Sequence, residues 1–124
     1  MRIEILSVKG EMTMDKEFSQ KEYAGPNGWT VWGVSGRIDM LTADAAYATG
    51  EEIILRNPKT VLDMTEMEYL SSAGLRVLLR LNKLAKKKGG EFALAGPTGI
   101  VKSVLEDSGM DALFSVWDSP NEAE

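Results

Sequence analysis

The sequence predicts an α/β fold: a mixed sheet of four to six strands carrying three to four helices. Three observations predict it. Residues 60–64 and 92–95 are short apolar runs with the length and composition of strands buried on both faces. Longer segments between and after them place apolar residues at helical spacing. Glycine, proline and asparagine punctuate the boundaries between the two kinds of segment.

Residues 1–9 alternate in part, with Ile3, Ile5 and Val8 set against Arg2, Glu4 and Ser7, and read as a strand. Lys9-Gly10-Glu11 breaks it, so residues 1–13 stand as an N-terminal extension or an extra strand. Residues 17–23 form a second, polar candidate strand. Gly25-Pro26-Asn27-Gly28 is a turn, in which proline presets φ and glycine accepts φ > 0. Residues 29–34 are β-branched and aromatic and read as a strand paired with the segment before the turn. Gly36-Arg37-Ile38-Asp39 leaves that strand.

Thr42 can cap a helix over 43–55, with Ala45, Ala46, Thr49, Ile53 and Ile54 facing inward. Gly50 inside that helix costs about 1 kcal/mol relative to alanine. Asn57-Pro58 stops it, because the residue before proline is pushed out of the α region. Residues 60–64 then form a buried strand.

The clearest helix starts at Ser72 or Ala73 and runs to Lys88. Its apolar face is Leu75, Leu78, Leu79, Leu81, Leu84 and Ala85, and Arg76, Arg80, Lys83 and Lys87 make a polar stripe. Lys86, Lys87 and Lys88 suit the negative end of the helix dipole, and Gly89-Gly90 terminates the helix. A strand over 92–95 follows. Pro97 marks the next helix start, with Ile100, Val101, Val104 and Leu105 on its apolar side and Gly109 at its end. Residues 113–117 read as a last strand and 119–124 as a polar, frayed tail. The opening pair should be antiparallel and the later strands largely parallel. The 124 residues fit a single domain, with no repeat or linker.

Composition excludes several chemistries. The chain has no cysteine and no histidine, so disulfides, Cys/His zinc sites and Ser-His-Asp or Cys-His catalysis are ruled out. A net charge of −5 argues against direct nucleic-acid binding. No apolar run reaches membrane-spanning length and the first residues lack a signal-peptide pattern, so a soluble cytoplasmic protein is expected.

The stretch that concentrates chemistry is the strand-loop-helix from Val61 to Leu79. Leu62-Asp63-Met64-Thr65 ends a strand, and Tyr69-Leu70-Ser71-Ser72-Ala73-Gly74-Leu75 opens the clearest helix. Serines at a helix start are good N-caps, worth about 1 kcal/mol, and that is their plain reading. They also sit where backbone N–H groups and the helix dipole favour negative charge. Asp63, Glu66 and Glu68 before them suggest a solvated acidic loop more than a metal site, and a carboxylate-based enzyme would need them in a cleft. Gly96-Pro97-Thr98-Gly99-Ile100-Val101-Lys102-Ser103 ends like a phosphate-binding loop. It has Val101 where the glycine before the lysine belongs, and Pro97 removes an N–H, so nucleotide binding is rejected.

This stretch, with Val34-Ser35-Gly36-Arg37-Ile38-Asp39 upstream and Gly89-Gly90-Glu91-Phe92-Ala93-Leu94-Ala95-Gly96 downstream, resembles the STAS domain of bacterial anti-sigma-factor antagonists. The likeness runs from about residue 29 to 116. It implies a STAS-like mixed sheet and a regulatory interaction domain that is not an enzyme and needs no cofactor. Its partners would be an anti-sigma-factor serine kinase, which phosphorylates a serine at the loop-helix junction, and a serine phosphatase that reverses the change. Ser72 matches that position, with Ser71 as runner-up. Ser71 stands where family members often carry aspartate, and Ala73 where they often carry serine. Asp39, Ser71, Ser72, Ala73, Gly74 and Arg76 would form the partner-binding surface, with Arg76 one turn along and within reach of a phosphate. The other role that the resemblance allows is a soluble accessory subunit of a lipid or anion transport system, with Ser72 only a cap.

Overall fold

The computed structural model describes residues 16–124. The strand expected over 1–9 and the break after it lie outside those residues. The described residues open with an antiparallel hairpin, β1 (Ser19–Ala24) against β2 (Thr30–Ile38), in register from Ser19 opposite Ser35 to Ala24 opposite Thr30. Pro26–Gly28 forms the expected turn as one 3-10 turn. Asn27 and Gly28 take positive φ there, the conformation that asparagine and glycine tolerate best.

β2 does not end where the sequence suggests. Gly36 takes φ of 85°, the pairing register shifts between Gly36 and Arg37, and the strand continues to Ile38. A second neighbour holds this continuation. β3 (Lys59–Asp63) runs parallel to the first half of β2, and β4 (Met67–Leu70) runs parallel to its second half. No strand is expected here from the sequence, which places Tyr69 and Leu70 between an acidic loop and the helix start. β5 (Glu91–Ala95) and the two-residue β6 (Val116–Trp117) complete a six-stranded sheet of order β1-β2-β3-β5-β6, with β4 on β2. All pairs after the hairpin are parallel.

Among the described residues three α-helices join these strands: α1 (Ala43–Arg56), α2 (Ser72–Lys87) and α3 (Gly99–Asp107). α1 buries Ala46, Gly50, Ile53 and Ile54, while Ala45 is exposed and Thr49 only partly covered, which corrects the expected face. Gly50 is the reason. A Cβ there would stand 2.6 Å from Leu81 Cδ1 and 2.8 Å from the Trp32 ring, so the bare backbone lets α1 lie against α2 and β2. α2 buries Gly74, Val77, Leu78, Leu81 and Ala85, with Leu75, Leu79 and Leu84 packed at its margins.

The sheet has two covered faces. Trp32 and Val34 of β2 point into the main core with Leu62, Leu94, Leu78 and Leu81, and the alternate residues Trp29 and Val31 join Val61, Ala93 and Ala95 on the other face. The C-terminus covers that second face. Ala123 is buried, its carbonyl accepts from Asn27 Nδ2 at 2.9 Å, and Trp117 packs edge-on to Trp29. Residues 119–124 are therefore not a free tail but a 3-10 turn that docks. The last strand is also shorter than expected: Leu113 belongs to a 3-10 turn over Met110–Leu113, and only Val116 and Trp117 pair with β5. α3 begins at Gly99, two residues after the expected proline start.

Candidate functional site

The start of α2 is built on the end of β2. Ile38 pairs with Leu70, and the Ile38 carbonyl accepts from the Ser71 backbone N–H at 3.0 Å and from the Ser71 hydroxyl at 3.2 Å. The same hydroxyl accepts from Gly74 N–H at 3.3 Å, so Ser71 is the N-cap. Its oxygen is thus both donor and acceptor within the fold. Ser72 is the first helical residue and its side chain is exposed. Ala73 is half-buried. Gly74 is buried against Ile38 and Leu70, and a Cβ at Gly74 would stand 2.9 Å from the Ile38 carbonyl oxygen. Arg76 is exposed one turn further on.

Asp39 lies beside this cap, in the loop joining β2 to α1. Its carboxylate is turned into that loop: Oδ1 accepts from Leu41 N–H at 2.9 Å, and Oδ2 stands 3.6 Å from Arg37 Nε. The Arg37 guanidinium in turn lies over the Tyr69 ring of β4. Thr42 does not cap α1 with its side chain. Its hydroxyl accepts from Asp39 N–H at 3.0 Å and donates to the Arg37 carbonyl at 2.7 Å. These bonds hold a tight loop whose tip presents Met40 and Leu41, 83% and 88% exposed. The sequence reading missed both residues. The available signal was two consecutive large apolar side chains between Asp39 and the Thr42 helix start, outside the apolar face of α1.

The acidic residues before the serines have other occupations. Asp63 Oδ1 accepts from Thr65 N–H at 3.0 Å, Glu66 pairs with Lys16, and Glu68 accepts from the Lys16 backbone N–H. Asp63 and Glu66 share an open groove of about 630 Å³ with Lys16, Lys21, Gly33 and Thr65. Burial, with the Asp63 carboxylate behind it, pushes the Tyr23 hydroxyl above its ordinary value. Among the described residues, no three carboxylates converge on a point that could hold a metal ion. Lys102 and Ser103 are exposed on α3, past the loop that resembles a phosphate cradle.

Fold and site together define a class: a small mixed-sheet domain with an accessible hydroxyl, an apolar loop tip and a helix start gathered at one end. Residues 20–123 match the STAS domain family, and the chain belongs to it. An anti-sigma F factor antagonist of Paenibacillus polymyxa is 29% identical over 102 residues, covering 81% of this chain and 87% of that protein. The crystal structure of an anti-sigma factor antagonist from Mycobacterium paratuberculosis superposes with a TM-score of 0.74 at 25% identity, covering 83% of this chain and 87% of that one. SpoIIAA, a Bacillus cell fate determinant and anti-sigma factor antagonist, has been solved unphosphorylated and phosphorylated. The TM-scores are 0.64 at 16% identity and 0.59 at 15%, each form covering 81% of this chain, and 87% and 90% of its own length. At that identity the likeness is one of fold. Among the described residues no helix is long and apolar enough to cross a membrane.

Proposed function

We propose that this chain is an anti-sigma-factor antagonist in the cytoplasm: a non-enzymatic domain that binds an anti-sigma-factor serine kinase and so releases a sigma factor. Phosphorylation of Ser72 switches that binding off, and a serine phosphatase restores it. No direct contact with nucleic acid or membrane is required. The observation that carries the reading is the division of labour between adjacent serines. The Ser71 hydroxyl is spent on the Ile38 carbonyl and the Gly74 N–H, whereas Ser72 is exposed.

The chemistry is simple on this side. The Ser72 Oγ attacks the γ-phosphorus of the kinase's ATP, the bond to the ADP oxygen breaks, and the hydroxyl proton leaves. Water reverses the change in the phosphatase. The product carries about −1.5 to −2 added charges and three acceptor oxygens at a helix N-terminus, where they are tolerated. On a docking surface led by apolar Met40 and Leu41, the same charge must be desolvated and binding weakens. In this reading Asp39 acts by shaping the loop that presents the tip.

The test is incubation with the cognate kinase and ATP, mass spectrometry of the product, and kinase binding by Ser72→Ala, Ser72→Glu and Ser71→Ala variants. One phosphate on Ser72 is expected, with kinase binding lost in Ser72→Glu and kept in Ser72→Ala. The Ser71→Ala variant should still be phosphorylated. A phosphate on Ser71 would move the site by one residue. No phosphate on either serine, with all variants binding alike, would overturn the switch and leave a transport-accessory role as the better reading.

A further inference from the structure

Charge is distributed unevenly along this acidic chain. Six of its 14 cations and none of its 19 acids lie between Ser72 and Lys88. Lys86, Lys87 and Lys88 suit the C-terminal end of the helix dipole, but that account does not reach Arg76, Arg80 and Lys83. At 3.6 residues per turn, Ser72, Arg76, Arg80, Lys83 and Lys87 fall in one band about 80° wide. From Arg76 to Lys87 the band runs roughly 16 Å along the helix.

All five residues are exposed, and none of the four cations in the band has a carboxylate within salt-bridge distance among the described residues. Arg80 is held in place by lying over the Tyr47 ring, 3.8 Å from its centroid, and Tyr47 donates to Glu51 of α1. Like charges three and four residues apart on a helix are mildly destabilising. The band therefore adds a small cost to the isolated domain, which an acidic partner would relieve.

We infer that this band of α2 docks an acidic protein surface, and that Ser72 stands at its head so that a phosphate caps the same band. The inference rests on the proposed function and names the chemistry of the partner's docking face. A protein fits better than a polyanion or a lipid surface. The rest of the chain is acidic and would repel an extended anionic object at long range, whereas a local acidic strip meets only the band. The apolar side of α2 is buried in the core, so no face of the helix is left to enter a bilayer. The exposed Met40-Leu41 tip follows Ile38, whose carbonyl holds Ser71, and offers the dry contact that protein interfaces use.

The experiment compares the wild-type chain with an Arg76→Gln, Arg80→Gln, Lys83→Gln, Lys87→Gln variant. Association with the cognate kinase is measured by stopped flow across a series of salt concentrations, with Ser72→Glu alongside. The expected result is an association rate lowered at least tenfold at low salt in the quadruple variant, with most of the salt dependence gone. Its circular dichroism melt should stay close to wild type, since relief of the like-charge pairs offsets loss of the Arg80–Tyr47 contact and of the Lys87 charge at the helix end. Unchanged rate and salt slope in the variant, with Ser72→Glu still failing to bind, would overturn the inference and leave the proposed function standing. Ser72→Glu binding like wild type would instead count against that function. Wild-type binding to duplex DNA or phosphatidylglycerol vesicles, or a wild-type dimer, lost in the variant at equal salt, would overturn the choice of partner.

Discussion

Replacing Gly74 with alanine separates two physical effects that act in opposite directions. Gly74 is the third helical residue of α2, and helix propensity alone would make Gly74→Ala more stable by about 1 kcal/mol. The structure opposes that gain. The new Cβ would stand 2.5 Å from Leu70 Cδ1, 2.9 Å from the Ile38 carbonyl oxygen and 3.1 Å from Ile38 Cγ2, where carbon contacts prefer about 3.5–4.0 Å. Leu70 and Ile38 are buried, and the Ile38 carbonyl is fixed by two hydrogen bonds from Ser71. α2 must therefore lift, which strains the cap. Overpacking costs about 1–3 kcal/mol and each weakened hydrogen bond about 1 kcal/mol. The net expectation is a loss of about 1–3 kcal/mol, or about 4 °C in Tm per kcal/mol for a chain of this size. Urea unfolding of the full chain, followed by fluorescence of its three tryptophans, measures it. A Gly74→Ala protein as stable as wild type, or more so, would refute the claim that close approach to β2 dictates glycine here.

Two further outcomes are expected. Converting Met40 and Leu41 together to serine should leave the urea midpoint within about 0.5 kcal/mol of wild type, since both side chains are exposed. On the proposed function the same change should weaken kinase binding at least tenfold; equal binding in a titration would remove the tip from the interface. The second outcome concerns acid stability. Arg56 grips the Glu22 carboxylate through two hydrogen bonds of 2.8 and 3.1 Å and holds its pKa below the ordinary 4.5. A depressed folded-state pKa contributes stability that is fully present above the unfolded value and is lost as pH falls through the lowered folded value. The stability difference between wild type and Arg56→Gln should thus be constant near neutrality, shrink below pH 4.5, and vanish once Glu22 is protonated in both states. A difference that persists unchanged in strong acid would show that Arg56 acts through packing alone.

The helices and central strands were legible because their signals are local. α2 carries caps, periodicity and a Gly-Gly stop in one stretch, and β3 and β5 are unbroken apolar runs between turn residues. What escaped depends on contacts distant in sequence. β4 is four residues long and becomes a strand only because β2 offers Gly36, Arg37 and Ile38 as its partner. β2 reaches that far because of the irregularity at Gly36, which looks like an ordinary exit signal in the sequence. The C-terminal turn reads as polar, yet Ala123 is buried in one cluster with Trp29, Val31 and Ala95. Gly50 reads as a weak point in α1 and proves to be a packing requirement. At the candidate site, Ser71, Ser72 and Asp39 were legible as chemistry. The separate occupations of the two serines followed only from the Ile38 carbonyl, which lies 33 residues before Ser71.

On the proposed reading, the placement of Ser72 also explains how a switch can act without moving the fold. A modification changes an affinity only by the difference between its effects on the free and bound states. The inner side of the α2 start, through Ser71 and Gly74, is committed to Ile38 and Leu70, so a group added to the outer side meets no core atom. In the free protein the helix N-terminus favours the phosphate by about 0.3–1 kcal/mol. Arg76, one turn away on the same band, adds a screened attraction. In the complex the phosphate must lose water against an apolar tip and, if the partner is acidic, face its like charge. Stabilising the free form and penalising the bound form shift the equilibrium in the same direction. Each 1.4 kcal/mol of that difference is a factor of ten in affinity, so two modest terms suffice for a hundredfold switch.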